Sequence, residues 1–94
     1  MKNVILIGDS IRMGYEATVR AELAGACEVI TPGDNGATSD NVAAHLDEWA
    51  ISRPADVIHI NCGLHDIKAE FGQDVRRVPL DRYAENVRYI LTRL

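Results

Sequence analysis

The feature that most constrains the fold of this chain is an apolar run near its start, residues 4–7 (Val-Ile-Leu-Ile), followed directly by Gly8-Asp9-Ser10. An uninterrupted, mostly β-branched run of this kind predicts a strand buried on both faces, as in a parallel sheet. Asp9 and Ser10 then open a helical pattern. The sequence therefore predicts that the Ser10 hydroxyl lies at the carboxyl end of a sheet strand, where open α/β folds bind their ligands.

Ser10 has two interpretations at such a turn. A nucleophile there has the first N–H groups of a helix nearby, and these can stabilise a developing oxyanion. Asp and Ser are also preferred residues for capping a helix N-terminus, where they contribute about 1 kcal/mol. Taken alone, this stretch favours the capping role.

The remaining pattern alternates helices with strands. Helical spacing of apolar residues predicts helices from about residue 11 to 24, from Thr38 or Ser39 to the break at Arg53-Pro54, and from Leu80 onward, and apolar runs predict further strands at 27–31 and 56–61. Right-handed crossovers then give a parallel sheet of strand order 2-1-3 in a flavodoxin-like, three-layer α/β/α fold. In that order, Ser10 faces the loop 62–66 across the crevice between strands 1 and 3.

This layout leaves the third strand as an unprotected edge, which proteins normally cover. The last helix also has no following strand to complete its crossover. We therefore expect residues 1–94 to be the N-terminal part of a single longer domain, with further strands supplied by a missing C-terminal half. Covering of the edge by a second chain, as in a homo-oligomer, is the alternative.

Composition argues against several classes of partner. The net charge is −4 and the pI is about 5.2, and Arg76-Arg77, interpreted as a solvated loop, is the only basic doublet. Nucleic acid and anionic membranes are therefore not expected as partners. No apolar run approaches the ~20 residues of a membrane helix, and the start of the chain lacks a signal-peptide layout. Cys27 and Cys62 form no disulfide framework, so the expected location is cytoplasmic.

Three short motifs resemble the signature blocks of the SGNH, or GDSL-type, hydrolases. Gly8-Asp9-Ser10-Ile11 looks like the first block, and residues 35–39 (Asn-Gly-Ala-Thr-Ser) are similar to the block that carries the oxyanion-hole glycine. Residues 63–66 (Gly-Leu-His-Asp) fall where the family usually has Gly-x-Asn-Asp. The three motifs occur in the family's order, each after a predicted strand. The resemblance covers the whole chain but only the front part of the family's domain.

The resemblance implies an esterase or acyl hydrolase in which Ser10 is the nucleophile. Ser10 N–H and Gly36 N–H would be two oxyanion donors, and the third, normally an Asn side chain, would fall at His65. A neutral imidazole donates only one N–H, so this role depends on the tautomer. Otherwise, His65 is simply a loop residue. The expected substrate is a small or carbohydrate-linked ester, and no cofactor is expected.

The family's general base belongs to an Asp-x-x-His segment near the end of the domain. The one match here, Asp56 to His59, precedes the 63–66 motif and lies in a predicted strand, where residues three apart point to opposite faces. We therefore reject it and expect His59 to pack between sheet and helix. The base is expected beyond residue 94, and because a hydroxyl without its base is a poor nucleophile, the 94 residues alone are predicted to be nearly inactive.

The supporting residues have simpler interpretations. Asp9 and Asp66 are expected to bond backbone groups that fix the two loops. Arg12 is expected to close over the crevice or pair with an acid, or else to be solvated. Cys62-x-x-His65 suggests a Cys–His nucleophile only weakly, because Cys62 ends a buried strand. The acidic residues and histidines show no metal-binding spacing, so no metal is expected.

The rival hypothesis is a non-catalytic α/β module. Such a module would bind a small anion at the Ser10 turn or function as a dimer through its open sheet edge. Labelling of Ser10 by a fluorophosphonate separates the two hypotheses.

Overall fold

The computed structural model describes residues 2–67 and 78–94, so the loop interpretation of Arg76-Arg77 lies outside the described residues. In chain order the elements are β1 (Lys2–Ile7), α1 (Ser10–Glu22), β2 (Cys27–Ile30), α2 (Ser39–Leu46), a π-helical turn (Asp47–Ile51), β3 (Val57–Ile60) and α3 (Leu80–Arg93). The predicted β-α-β-α-β-α order is confirmed.

The three strands form one parallel sheet in the order β2-β1-β3, as predicted. Ile5 of β1 lies in register with Ile30 of β2 on one side and with Ile58 of β3 on the other. The central position of β1 explains its uninterrupted apolar sequence, because a central parallel strand is covered on both faces and paired at both edges. Ile5 and Ile7 are fully buried.

Helices cover both faces of the sheet. Ile5 and Ile7 point to the face where α2, the π-helical turn and α3 pack, and they share one core there with Val42, Leu46, Trp49, Ala50 and Ile90. Leu6 points to the opposite face, in register with His59. The His59 ring meets the ring of Tyr15 from α1 edge-on, with centroids 5.9 Å apart. The fold therefore has three layers, and within residues 2–67 and 78–94 α1 is the one helix on its side of the sheet.

The two ends of α2 show which residue caps the helix and reveal a π-helical turn at its C-terminal end. Thr38, rather than Ser39, caps the helix, because its hydroxyl accepts a hydrogen bond from the Asn41 N–H at 3.2 Å. At the other end the backbone widens into a π-helical turn, closed by the bond from Ser52 N–H to Asp47 O at 2.9 Å. Periodicity did not predict this turn. The helix stops before Pro54, as predicted.

The outer edge of β3 is unpaired within the part of the chain that the structure describes. Val57 on this strand is 54 % exposed, and Leu91 on α3 is 67 % exposed. The expectation that further strands or a second chain cover this region stays a prediction. In the described ranges, no helix is long and apolar enough to cross a membrane.

Candidate functional site

At the turn between β1 and α1, the residue that caps the helix is Asp9 and not Ser10. Asp9 is the N-cap of α1, and its Oδ1 accepts a hydrogen bond from the Ile11 N–H at 2.9 Å. Ser10 is the first residue of the helix and is exposed, whereas Asp9 is fully buried. The Ser10 amide is one of the first four N–H groups of α1, which have no partner within the helix. The hydroxyl of Ser10 is therefore not needed as the cap.

His65 lies directly against Asp9. Its Nδ1 is 3.6 Å from Asp9 Oδ2, and the His65 side chain is 20 % exposed. Within residues 2–67 and 78–94, neither of these two buried atoms has a hydrogen-bond partner. The distance is longer than a hydrogen bond, so the two atoms face each other across a short gap. The structure thus brings the first and third sequence motifs together.

Asn61, at the end of β3, holds the other oxygen of Asp9. Its Nδ2 donates to Asp9 Oδ1 at 3.0 Å. Burial tends to raise the pKa of the Asp9 carboxyl, but the hydrogen bonds from Asn61 and from the Ile11 N–H, together with the nearby His65, hold this pKa below its usual value. Asp9 is therefore a carboxylate at neutral pH, with Oδ1 occupied and Oδ2 directed at His65.

Gly36 approaches the same turn but its amide is already engaged. The Gly36 N–H donates to Gly8 O at 2.7 Å. A Cβ on Gly36 would lie 2.8 Å from that oxygen, so this approach requires glycine. Gly8 is two residues, or about 7 Å along the chain, from Ser10. The amide is near Ser10, yet it can donate to an oxyanion only if its bond to Gly8 opens, and its role in the hole stays a prediction.

Arg12 proves to be a buried clamp that joins α1 to the loop containing Asp34 and Gly36. It is 2 % exposed, and its guanidinium donates to the Asp34 carbonyl at 2.6 Å and to Glu16 at 2.6 Å. Of the expected roles, pairing with an acid is the one observed, and the solvated role is wrong. Arg12 ties the loop that contains Gly36 to the first turn of α1.

Asp66 fixes the third motif to the start of α2. Its carboxylate accepts hydrogen bonds from the Ser39 N–H at 2.7 Å and from the Ser39 hydroxyl. Asn86 of α3 donates to the same hydroxyl at 2.9 Å. The predicted backbone bonding by Asp66 is confirmed, and it joins the 63–66 loop to two helices.

The remaining chemical groups are less suited to catalysis. Burial, Asp66 and Asp9 together raise the pKa of the Cys62 thiol, which disfavours a thiolate nucleophile.

His59 is exposed and contacts Tyr15 edge-on, so its expected packing between sheet and helix is wrong. Asp56 bonds the Asn3 N–H at the opposite end of β1, which agrees with rejecting the Asp56–His59 pair. Among the described residues, no three His, Cys, Asp or Glu side chains could hold a metal ion.

An apolar cavity of about 390 Å³ adjoins the loop that carries His65. Its walls include Leu64 and Ile67 from this loop, and Leu80 and Tyr83 from the start of α3. A cavity of this size and polarity is typical of small-molecule sites.

Two residues of the site were not predicted from the sequence. Asn61 was assigned only to a strand, and Ser39 only to a possible cap and to the end of the 35–39 motif. In the structure Asn61 donates to the Asp9 carboxylate and Ser39 donates to the Asp66 carboxylate. A polar residue directly after an apolar strand is a usable signal for Asn61. Nothing local distinguished Ser39. Comparison of the chain with protein-family models, curated proteins and solved structures gives no significant match.

Proposed function

We propose that this chain is a serine-dependent hydrolase of carboxylic esters, with an acyl-enzyme formed on Ser10. The observation that carries the proposal is the exposed position of Ser10 at the first turn of α1, directly after a buried carboxylate that faces a histidine. Ser10 is free of the capping role, and the N-terminus of α1 supplies positive charge where an oxyanion would form.

The apolar cavity lined by Leu64, Ile67, Leu80 and Tyr83 offers space for an acyl group. The proposed substrate is therefore a small ester whose acyl part is apolar.

A fluorophosphonate probe tests the proposal, since it labels serine hydroxyls that are activated as nucleophiles. We expect label on the peptide that contains Ser10 and none in Ser10→Ala. Ser52→Ala is the matched control, because Ser52 is also exposed but follows the π-helical turn far along the chain. A folded protein that takes up no label at Ser10 would contradict the proposal and support a binding or dimerisation module.

A further inference from the structure

The proximity of Asp9 to His65 favours one of the two neutral tautomers of the imidazole. A neutral histidine has one N–H donor and one acceptor nitrogen. Because Nδ1 faces the Asp9 carboxylate, the tautomer with hydrogen on Nδ1 is stabilised and the other tautomer is repelled. Nε2 then carries a lone pair. A neutral His65 held in this way accepts a proton and does not donate to an oxyanion.

We propose that His65 is the general base for Ser10 and that Asp9 is its positioning residue. The proposal rests on the proposed esterase function. It assigns the base to a residue of this chain, in place of the segment expected beyond residue 94, so the 94-residue chain is expected to be reactive. Asp9 and Ser10 are adjacent, so their Cα atoms are about 3.8 Å apart. The backbone of the nucleophile therefore directly follows the residue that the His65 ring faces. This role replaces the oxyanion-donor role that the sequence predicted for His65.

The proton balance of the reaction follows from this arrangement. His65 Nε2 takes the hydroxyl proton of Ser10 as Oγ bonds to the ester carbonyl carbon, and the carbonyl π electrons move to oxygen. The tetrahedral intermediate then collapses, and the alcohol leaves with the proton from Nε2. In the second half, Nε2 takes a proton from water as water attacks the acyl-enzyme, and returns it to Ser10 Oγ. Asp9 stabilises the imidazolium in both halves.

The structure also shows what must change on substrate binding. The gap of 3.6 Å between Nδ1 and Oδ2 has to shorten by roughly 0.7 Å to become a charge-assisted hydrogen bond. Catalytic hydrogen bonds are often this long before substrate binds. Both atoms are buried and unpartnered in the described part of the chain, so closing the gap satisfies two costly polar groups at once.

Substitution of His65 by Asn separates the two roles. Asn keeps side-chain N–H donors but takes up no proton, so it retains an oxyanion donor and removes a base. We expect His65→Asn and His65→Gln to slow fluorophosphonate labelling of the 94-residue chain by about 10²–10⁴-fold. His59→Asn, the same change at an exposed histidine, is the matched control and should label at the wild-type rate. Added imidazole should restore labelling of His65→Ala, and should do nothing in Ser10→Ala.

Asp9→Asn tests the positioning role. Asn keeps an oxygen for the Ile11 and Asn61 bonds and remains a good N-cap, but it presents an amide rather than a carboxylate to His65. We expect slower labelling, with no further loss when Asp9→Asn is combined with His65→Asn, because Asp9 acts through the ring. A purely structural role would give additive losses.

The outcomes distinguish this inference from the proposed function. Normal labelling of wild type together with labelling of His65→Asn and His65→Gln within about threefold of wild type would overturn the base role and leave Ser10 as the nucleophile. Absence of labelling in folded wild type would overturn both. Circular dichroism of each variant checks that the fold is retained, and the imidazole rescue supplies a readout that a folding defect does not imitate.

Discussion

Replacing Gly8 by Ala should destabilise the whole site, because the Asn61 side chain occupies the space a methyl group needs. A Cβ on Gly8 would lie 1.9 Å from Asn61 Oδ1 and 2.7 Å from Arg12 Cβ. Atoms do not approach that closely, so Asn61 must rotate away and release its hydrogen bond to Asp9. The expected result is a loss of unfolding free energy together with a disturbed Asp9–His65 pair.

The magnitude follows from two costs and one gain. A lost hydrogen bond to a buried carboxylate costs about 1.5–3 kcal/mol, and overpacking costs about 1–3 kcal/mol. Alanine also lowers the conformational entropy of the unfolded chain, which stabilises the folded state by about 0.4–1 kcal/mol. The net loss is about 2–5 kcal/mol, against a total of roughly 5–14 kcal/mol for a domain of this length. The midpoint of urea unfolding should fall by about 1 M or more.

Urea unfolding can be followed by the fluorescence of Trp49, the single tryptophan, which is buried. The matched control is Gly14→Ala within α1, where nothing lies within 4 Å of the new Cβ. That change should stabilise the protein by about 0.5–1 kcal/mol, since Ala is the better helix former. In an Asn61→Ala background, Gly8→Ala should cost at least about 1 kcal/mol less than in wild type. A loss below about 1 kcal/mol in wild type, or equal costs in both backgrounds, would refute the steric argument.

Three further predictions concern the same turn. Gly36→Ala should lower the free energy of unfolding by about 2–4 kcal/mol in urea, because the new Cβ would press on the Gly8 backbone and break the Gly36–Gly8 hydrogen bond. An unchanged free energy of unfolding would show that the loop moves to make room for the methyl group. Arg12→Leu should cost about 1.5–3 kcal/mol through the lost bond to the Asp34 carbonyl, and a loss of at most a few tenths would mean that the clamp is unimportant. Since the pKa of Asp9 is lower in the folded state than its usual value of 3.8, its stabilising contribution is complete above 3.8 and is lost as the pH falls through the folded value. Urea unfolding at a series of acidic pH values should therefore show a steeper loss for wild type than for Asp9→Asn, and parallel curves would contradict the assigned shift.

The local patterns of the sequence predicted the order of the helices and strands and the topology of the sheet. The apolar run before Gly8 predicted a central strand, and the order β2-β1-β3 followed from handed crossovers. These predictions succeed because periodicity and chain connectivity are short-range properties. The break at Arg53-Pro54 is of the same kind, since proline restricts the residue that precedes it.

The sequence was less informative about individual polar side chains. Arg12 had three interpretations, and the structure selects pairing with an acid, Glu16, at a side chain that is buried where the Asp34 carbonyl approaches to 2.6 Å. Asp9 and Ser10 were both plausible caps, and the backbone geometry at the start of α1 gave the role to Asp9. His59 was expected to be enclosed, but the edge position of β3 leaves it exposed.

The sequence by itself determined an α/β chain whose first strand is central and whose Ser10 begins a helix at the carboxyl end of that strand. Only the tertiary structure decided that His65, 56 residues further along the chain, places Nδ1 opposite Asp9. The reason is physical: strands and helices are specified by neighbours a few residues apart, whereas the direction of a loop side chain depends on the folding of remote segments against it. The proposed chemistry depends on this second kind of information.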